Sequence, residues 1–199
     1  MQNISVLITG IGGQGIILAS DVLADAAMRT GWDVKKTDSI GMAQRGGSVI
    51  SHVRMGDVVS SPLIPTGGAD VLFGMEKLEA ARHCHFLKPG GQAVINSYGA
   101  PPLTVATGAR KYPEYEAILS VVRERAGKVF FIDGLKKVSK LGNTRALNVF
   151  LLGALSVLLP LTEQVWQEAL EAKLPSKIIQ INLQAFSLGR EEVKNAGIR

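Results

Sequence analysis

The chain has one cysteine, Cys84, among 199 residues. No disulfide can close within it, which fits a reducing cytoplasm, and one thiolate cannot hold a cubane iron–sulfur cluster, which takes about four. Long apolar runs are also missing. The stretch from Ala146 to Leu159 is interrupted by Asn148 and Gly153. It falls short of the roughly 20 residues that span a bilayer, so it reads as a buried helix and no membrane role is expected. The N-terminus has no charged stretch followed by a small-residue cleavage site. Aromatic residues make up 6% of the chain, and the basic residues behind the formal charge of +5 are scattered. That pattern counts against a nucleic-acid surface and favours anionic ligands or an acidic partner.

Signatures of catalysis are absent as well. No Gly-x-Ser-x-Gly elbow occurs, and no Lys-Ser/Thr ending follows the first glycine loop, so a nucleotide-hydrolysing P-loop is not expected. His83 and His85 flank Cys84. On a helix, neighbours two apart point to different faces, so the trio reads as a surface pair beside a buried thiol rather than a metal site. His52 stands on a strand face with Ile50 and Arg54 and reads as structural or interfacial.

Glycine, by contrast, is abundant, with 22 residues, as tight turns between strands and helices require. The segment around which the chain is organised is Gly10-Ile11-Gly12-Gly13-Gln14-Gly15, preceded by the apolar run Ile4 to Ile8 and followed by a helical pattern. Gly10, Gly12 and Gly15 meet the spacing G-x-G-x-x-G: the first for a tight turn, the second for close approach of a ligand, the third for helix–strand packing. N–H groups at the following helix start can hold an anion, and Gln14 adds an amide there. A dinucleotide site also wants an acidic residue at the tip of the second strand, to bind ribose. Asp38 is the only candidate; it comes late, on a strand (Asp33 to Ser39) whose one strong apolar residue is Val34.

A second glycine-rich segment, Gly41-Met42-Ala43-Gln44-Arg45-Gly46-Gly47, fits neither periodicity and reads as a structured loop. Arg45 can present its guanidinium fork to a carboxylate or phosphate; equally, Gln44 and Arg45 can hold the loop or a subunit interface. Ser48 to Met55 alternates as a strand, and Gly56-Asp57 predicts a hairpin turn into Val58-Val59.

Further along, Ala69 to Phe73 is a strand, Glu76 to Leu87 a helix stopped by Pro89-Gly90-Gly91, and Gln92 to Asn96 a strand. Pro113 to Ala126 is a helix. Lys128 to Asp133 is a strand apolar enough to be buried on both faces. The last third is helical: Leu135 to Leu141, Arg145 to Leu159, Glu163 to Leu174 after Thr162 as cap, and Ser176 to about Leu188. No repeat or linker interrupts the chain. The order predicts one α/β domain over residues 1–199: a Rossmann-like three-layer sandwich, mostly parallel sheet, with a β-hairpin excursion and a helical C-terminal third.

Taken together, the segments Gly12-Gly13-Gln14-Gly15, Gly41 to Val49, Ser61-Pro62-Leu63-Ile64, Ala69 to Leu72, Leu87 to Gly91, Leu141-Gly142-Asn143, Arg145, Asn148 and Leu152 to Leu155 resemble the gamma component of the 2-oxoacid:ferredoxin oxidoreductases. The Met-Ala-Gln-Arg-Gly-Gly run looks most like the indolepyruvate branch, whereas 2-oxoglutarate relatives tend to carry Met-Arg-Gly-Gly. One departure is Ile40, where relatives often have His before the Gly-Met. The resemblance implies oxidative decarboxylation of a 2-oxoacid with coenzyme A, giving an acyl-CoA, carbon dioxide and reduced ferredoxin. Thiamine diphosphate and 4Fe-4S clusters would be carried by a larger alpha-type catalytic subunit. The chain itself has neither the cysteines for a cluster nor a Gly-Asp-Gly with a distant Asn-Asn for thiamine diphosphate. It would therefore be a cytoplasmic accessory subunit with no catalytic residue and no cofactor of its own, inactive alone, with a homodimer as its state in isolation. Its ligand- or interface-binding residues would be Gly10, Gly12, Gly13, Gln14, Gly15, Gln44, Arg45, Gly46 and Gly47. Two other readings stay open at this point: a stand-alone NAD(P)-binding Rossmann dehydrogenase, and a non-enzymatic oligomeric binding module.

Overall fold

A computed structural model of the chain describes residues 3–41, 46–101, 105, 107–108 and 111–197. The first strand, β1 (Ile4–Ile11), is buried from Ser5 to Gly10. Val6 and Ile8 belong to one core cluster and Leu7 to the other, so β1 is covered on both faces. That two-sided burial is why its sequence is a continuous apolar run rather than an alternating one. There follow α1 (Ile16–Arg29), β2 (Asp33–Ile40), β3 (Ser48–Gly56), β4 (Ala69–Gly74), α2 (Lys77–His83), β5 (Leu87–Asn96), α3 (Tyr115–Arg123), β6 (Ala126–Ile132), α4 (Gly134–Ser139), α5 (Leu147–Ser156), α6 (Glu163–Lys173) and α7 (Ser176–Ala196).

The six strands lie in the order β2-β3-β1-β4-β5-β6. From β1 through β4 and β5 to β6 the pairing is parallel; β3 alone is inverted, antiparallel to both neighbours. The mostly parallel α/β architecture is therefore as expected, but the hairpin is not. Gly56-Asp57 does not lead into a strand; instead β2 and β3 pair with each other from Asp33 opposite Gly56 to Ile40 opposite Val49. Eight paired residues outweigh the two that Val58-Val59 offer, and Val58 is left exposed.

One face of the sheet carries α1, α5, α6 and α7 over Val6, Ile8, Phe73 and Val94; the other carries α2 and α3 over Leu7, Leu72, Ala93 and Ile95. Helix α5 is buried from Val149 to Ser156, as its all-round apolar sequence requires. It packs against α7 at backbone contact: a Cβ on Gly153 would stand 2.0 Å from the Phe186 carbonyl oxygen.

Other boundaries moved for local reasons. The helix expected to reach Leu87 ends at His83, and a 3-10 turn, Cys84–Phe86, follows. Pro89-Gly90-Gly91 does not precede β5 but lies inside it, where the pairing register shifts between Gly91 and Gln92. Such bulges are where a strand tolerates proline and a glycine of positive φ. The strand β6 is an edge strand, not doubly buried; Val129 and Phe131 are half-buried, and Tyr115 of α3 packs edge-on to Phe131 at 5.3 Å. Helix α7 runs to Ala196, beyond Leu188.

Candidate functional site

The parallel strands all end on one edge of the sheet, and there the glycine segments lie. Gly10 is still in β1, opposite Val49, so the tight turn falls on Gly12 and Gly13, not on the first glycine. What Gly10 supplies is room: a Cβ on it would stand 2.7 Å from Gln14 Oε1. That oxygen accepts the Ile11 N–H at 2.9 Å, so Gln14 folds back and closes its own turn. Gly15 begins α1 in the left-handed region, at φ 82°. It does not bring the helix onto the strand, as the spacing predicts; its bare α-carbon faces Asn148 of α5, whose Nδ2 would lie 2.4 Å from a Cβ.

Among the described residues no side chain caps α1, and its first turn holds no acidic residue. The N–H groups there have no side-chain acceptor among the described residues, and a helix start of this kind favours an anion. The second glycine segment comes alongside: Gly12 N–H donates to the Gly47 carbonyl at 2.8 Å, and Gly46 N–H to the Gly12 carbonyl at 3.5 Å. Gly46 and Gly47 thus join Gly12 and Gly13 on one sheet edge. Gln44 and Arg45 lie outside the described residues.

Beside the first turn opens a cleft of about 400 Å³, lined by Gly13, Gln14, Gly15, Met75, Tyr98, Leu135, Thr144, Arg145, Leu147, Asn148 and Leu151. That volume is in the range of small-molecule sites. It lies at the carboxyl ends of β1 and β4, where open α/β sheets receive ligands. Met75 is hung from β1 by its N–H on the Thr9 carbonyl, 2.8 Å. Buried Asn96 ties neighbouring loops together, donating to the Met75 carbonyl and accepting the Gly134 N–H, both at 3.3 Å. Buried Glu76 accepts from Glu79 N–H, Ala100 N–H and the Tyr112 hydroxyl, the last at 2.5 Å. Burial first, and the Glu76 carboxylate second, push the Tyr112 phenol far above its ordinary range.

No carboxylate lines the cleft. Arg145 is exposed at its rim and takes part in none of the ion pairs among the described residues. A donor-rich end (α1 start, Asn148, Arg145, Thr144) therefore faces an apolar wall of Met75, Leu135, Leu147 and Leu151. The cleft thus offers hydrogen-bond donors and a positive charge at one end and apolar contact at the other. Residue-type reasoning did not single out Met75, Tyr98, Leu135 or Leu151; Arg145 and Asn148 carried a family likeness but no role. The signal within reach was a cation and an amide at the start of the most apolar helix, where packing has no use for them.

Asp38 is not beside the glycine turn. Strand β3 separates its strand from β1, and its carboxylate is occupied by the Ser51 hydroxyl at 2.5 Å and Lys36 at 2.9 Å. A ribose-binding carboxylate is therefore missing from the place a dinucleotide needs it. Cys84 is buried, its thiol pushed up by that burial. His83 turns to Thr9 and the Glu79 carbonyl, while His85 stacks on Phe86. Among the described residues no group of His, Cys, Asp and Glu is arranged to hold a metal ion. His52 is buried, with Nδ1 accepting the Ile64 N–H at 3.2 Å. Among the described residues no helix is long and apolar enough to cross a membrane.

The model of the family described as pyruvate ferredoxin/flavodoxin oxidoreductase matches residues 5–192. Indolepyruvate oxidoreductase subunit IorB of Thermococcus kodakarensis is 39% identical over 98% of both chains. 2-Oxoglutarate synthase subunit KorC of Methanothermobacter marburgensis is 28% identical over 92% of this chain and 93% of its own. Among solved structures, the gamma subunit of keto/oxoacid ferredoxin oxidoreductase from Geobacter sulfurreducens shares the fold, with a TM-score of 0.71 at 21% identity over 96% of this chain and 99% of that one. So does 2-oxoglutarate:ferredoxin oxidoreductase from Magnetococcus marinus, with a TM-score of 0.74 at 23% identity, over 98% of this chain but 32% of that longer one.

Proposed function

Because the chain belongs to the pyruvate ferredoxin/flavodoxin oxidoreductase family, we propose that it is the accessory subunit of an indolepyruvate:ferredoxin oxidoreductase. The reaction is that of indolepyruvate, or another arylpyruvate, with coenzyme A. It yields the acyl-CoA and carbon dioxide, and two electrons pass to two oxidised ferredoxins with release of a proton. The observation that carries the substrate is the 39% identity, end to end, with an indolepyruvate oxidoreductase subunit. Thiamine diphosphate and the 4Fe-4S clusters belong in this reading to a larger catalytic subunit, where they supply carbanion chemistry and electron transfer. The single, buried Cys84 cannot serve as a cluster ligand set.

This chain's own part is to hold coenzyme A by its phosphates. The start of α1, Asn148 and Arg145 offer donors to a phosphate, and Gly46 and Gly47 continue the same edge beside Gly12. A dehydrogenase reading is opposed by the position of Asp38 behind β3.

Co-expression with the larger subunit tests the proposal. The assembled complex should reduce ferredoxin with indolepyruvate only when coenzyme A is present, and the isolated chain should not. Arg145→Ala should raise the coenzyme A KM by about tenfold or more, the scale of one hydrogen bond between charged groups. Preference for 2-oxoglutarate, or tight NAD binding by the chain alone, would sink it.

A further inference from the structure

Glu79 takes no part in the cleft, yet it stands below the point where both glycine segments leave the sheet. Val49, Val53 and Met55 of β3 face the α1 and α5 layer, so Ser48 faces the opposite one, where α2 lies. There its hydroxyl donates to Glu79 Oε2 at 2.6 Å. Thr9 of β1 faces the same way, its hydroxyl 3.4 Å from the Glu79 carbonyl and 3.3 Å from His83 Nδ1. The Glu79 side chain is 5% exposed, with Arg82 on its other oxygen at 2.9 Å.

A carboxylate is expensive to bury, and α2 does not need this one. The helix is capped by Glu76, which accepts the Glu79 N–H, and it is seated on the sheet by Ala80 while Cys84 of the next turn fills the same core. What the carboxylate does secure is Ser48. Ser48 is opposite Ile11 in the last pair of the β1–β3 ladder, and the next contact outward is Gly12 N–H on the Gly47 carbonyl. The residues of that outer contact, Gly12, Gly46 and Gly47, have no side chains with which to fix themselves.

We propose that Glu79 is a positioning residue: through Ser48 it sets the pairing of Gly12 with Gly47, and thereby the place of the turn that walls the cleft. The consequence for activity rests on the coenzyme A reading given above; the positioning itself does not.

The test measures amide exchange at Gly12 in the full chain, and coenzyme A kinetics in the assembled complex, for Glu79→Leu, Glu79→Gln and Ser48→Ala. Ser48→Ala removes the donor without disturbing the Glu79–Arg82 pair, so it keeps the test alive if Glu79→Leu does not fold. Expected are about tenfold faster exchange at Gly12 in Ser48→Ala and Glu79→Leu, the scale of a hydrogen bond to a charged group, and a raised coenzyme A KM with kcat within about twofold. Glu79→Gln restores both, since its amide oxygen still accepts the Ser48 hydroxyl. Wild-type exchange at Gly12 in Ser48→Ala, or Glu79→Gln behaving as Glu79→Leu, overturns the proposal. Faster exchange with an unchanged coenzyme A KM upholds the positioning and removes coenzyme A from these loops.

Discussion

Replacing Gly15 by alanine strains the turn in two separable ways. The backbone there sits at φ 82° and ψ 28°, a left-handed conformation that costs an L-residue about 1–2 kcal/mol. The new Cβ would also stand 2.4 Å from Asn148 Nδ2 and 3.2 Å from its Cγ. Those atoms belong to a side chain that can turn aside at the cost of overpacking, about 1–3 kcal/mol. The sum, about 2–5 kcal/mol, is below the stability of many domains, about 5–15 kcal/mol, so the variant should fold and be measurable by urea unfolding. Asn148→Ala removes the clash and leaves the dihedral strain. The double variant should therefore be more stable than the sum of the two single losses allows, by about 1–3 kcal/mol. On the coenzyme A reading proposed above, Gly15→Ala should also weaken coenzyme A binding in the assembled complex, because Asn148, one of the cleft's donors, is displaced. Strict additivity of the two substitutions, or a loss below about 1 kcal/mol for Gly15→Ala, would refute the account of this turn.

Gly189→Ala should be among the most damaging substitutions, above about 3 kcal/mol: its Cβ would lie 1.8 Å from the Phe150 carbonyl oxygen, and that backbone cannot yield without parting α5 from α7. Gly31→Ala is the matching control, with a positive φ but open space around it, and should cost only about 1–2 kcal/mol by thermal or urea unfolding. Tyr112→Phe takes a donor from buried Glu76 and should lower stability by about 1–3 kcal/mol. For His52, burial first and then His83 lower the pKa, with Asp38 opposing. The unfolded chain therefore binds the proton more readily, and stability should fall as pH drops below the unfolded value of about 6.5. Urea midpoints at about pH 7.5 and about pH 5.5 should converge in His52→Gln if that residue is responsible.

Where one local pattern decided the outcome, the chain was readable in advance. The apolar run before Gly10 and the helical spacing after Gly15 place β1, the turn and α1. The poverty of apolar residues in Asp33 to Ser39 has a physical meaning that emerges only from pairing: β2 is an edge strand on which no residue is buried. Insertion of β3 between β1 and β2 could not be read, because strand order depends on which backbones pair and not on any one segment. The cleft was half legible. Gly13, Gln14 and Gly15 are marked by spacing, whereas Met75, Tyr98 and Leu135 are ordinary residues brought there by the ends of other strands. The burial of Glu76 and Glu79 carried no mark in the sequence, which does not show which face of a short helix meets the sheet.

The inverted strand also limits how this scaffold can be altered. In a dinucleotide fold, the carboxylate that reads ribose stands on the strand next to β1. Here that berth is taken by the backbone ladder of β3, which runs from Ile4 opposite Met55 to Ile11 opposite Ser48. A substitution at Asp38 leaves its side chain on the far side of β3; the β2 residue that reaches the glycine turn is Ile40, at the strand's end, which lines a pocket with Gly12, Gly13 and Gly15. A carboxylate for ribose would therefore have to enter at that strand end, because excising the hairpin to re-pair the sheet would carry away the second glycine segment with it.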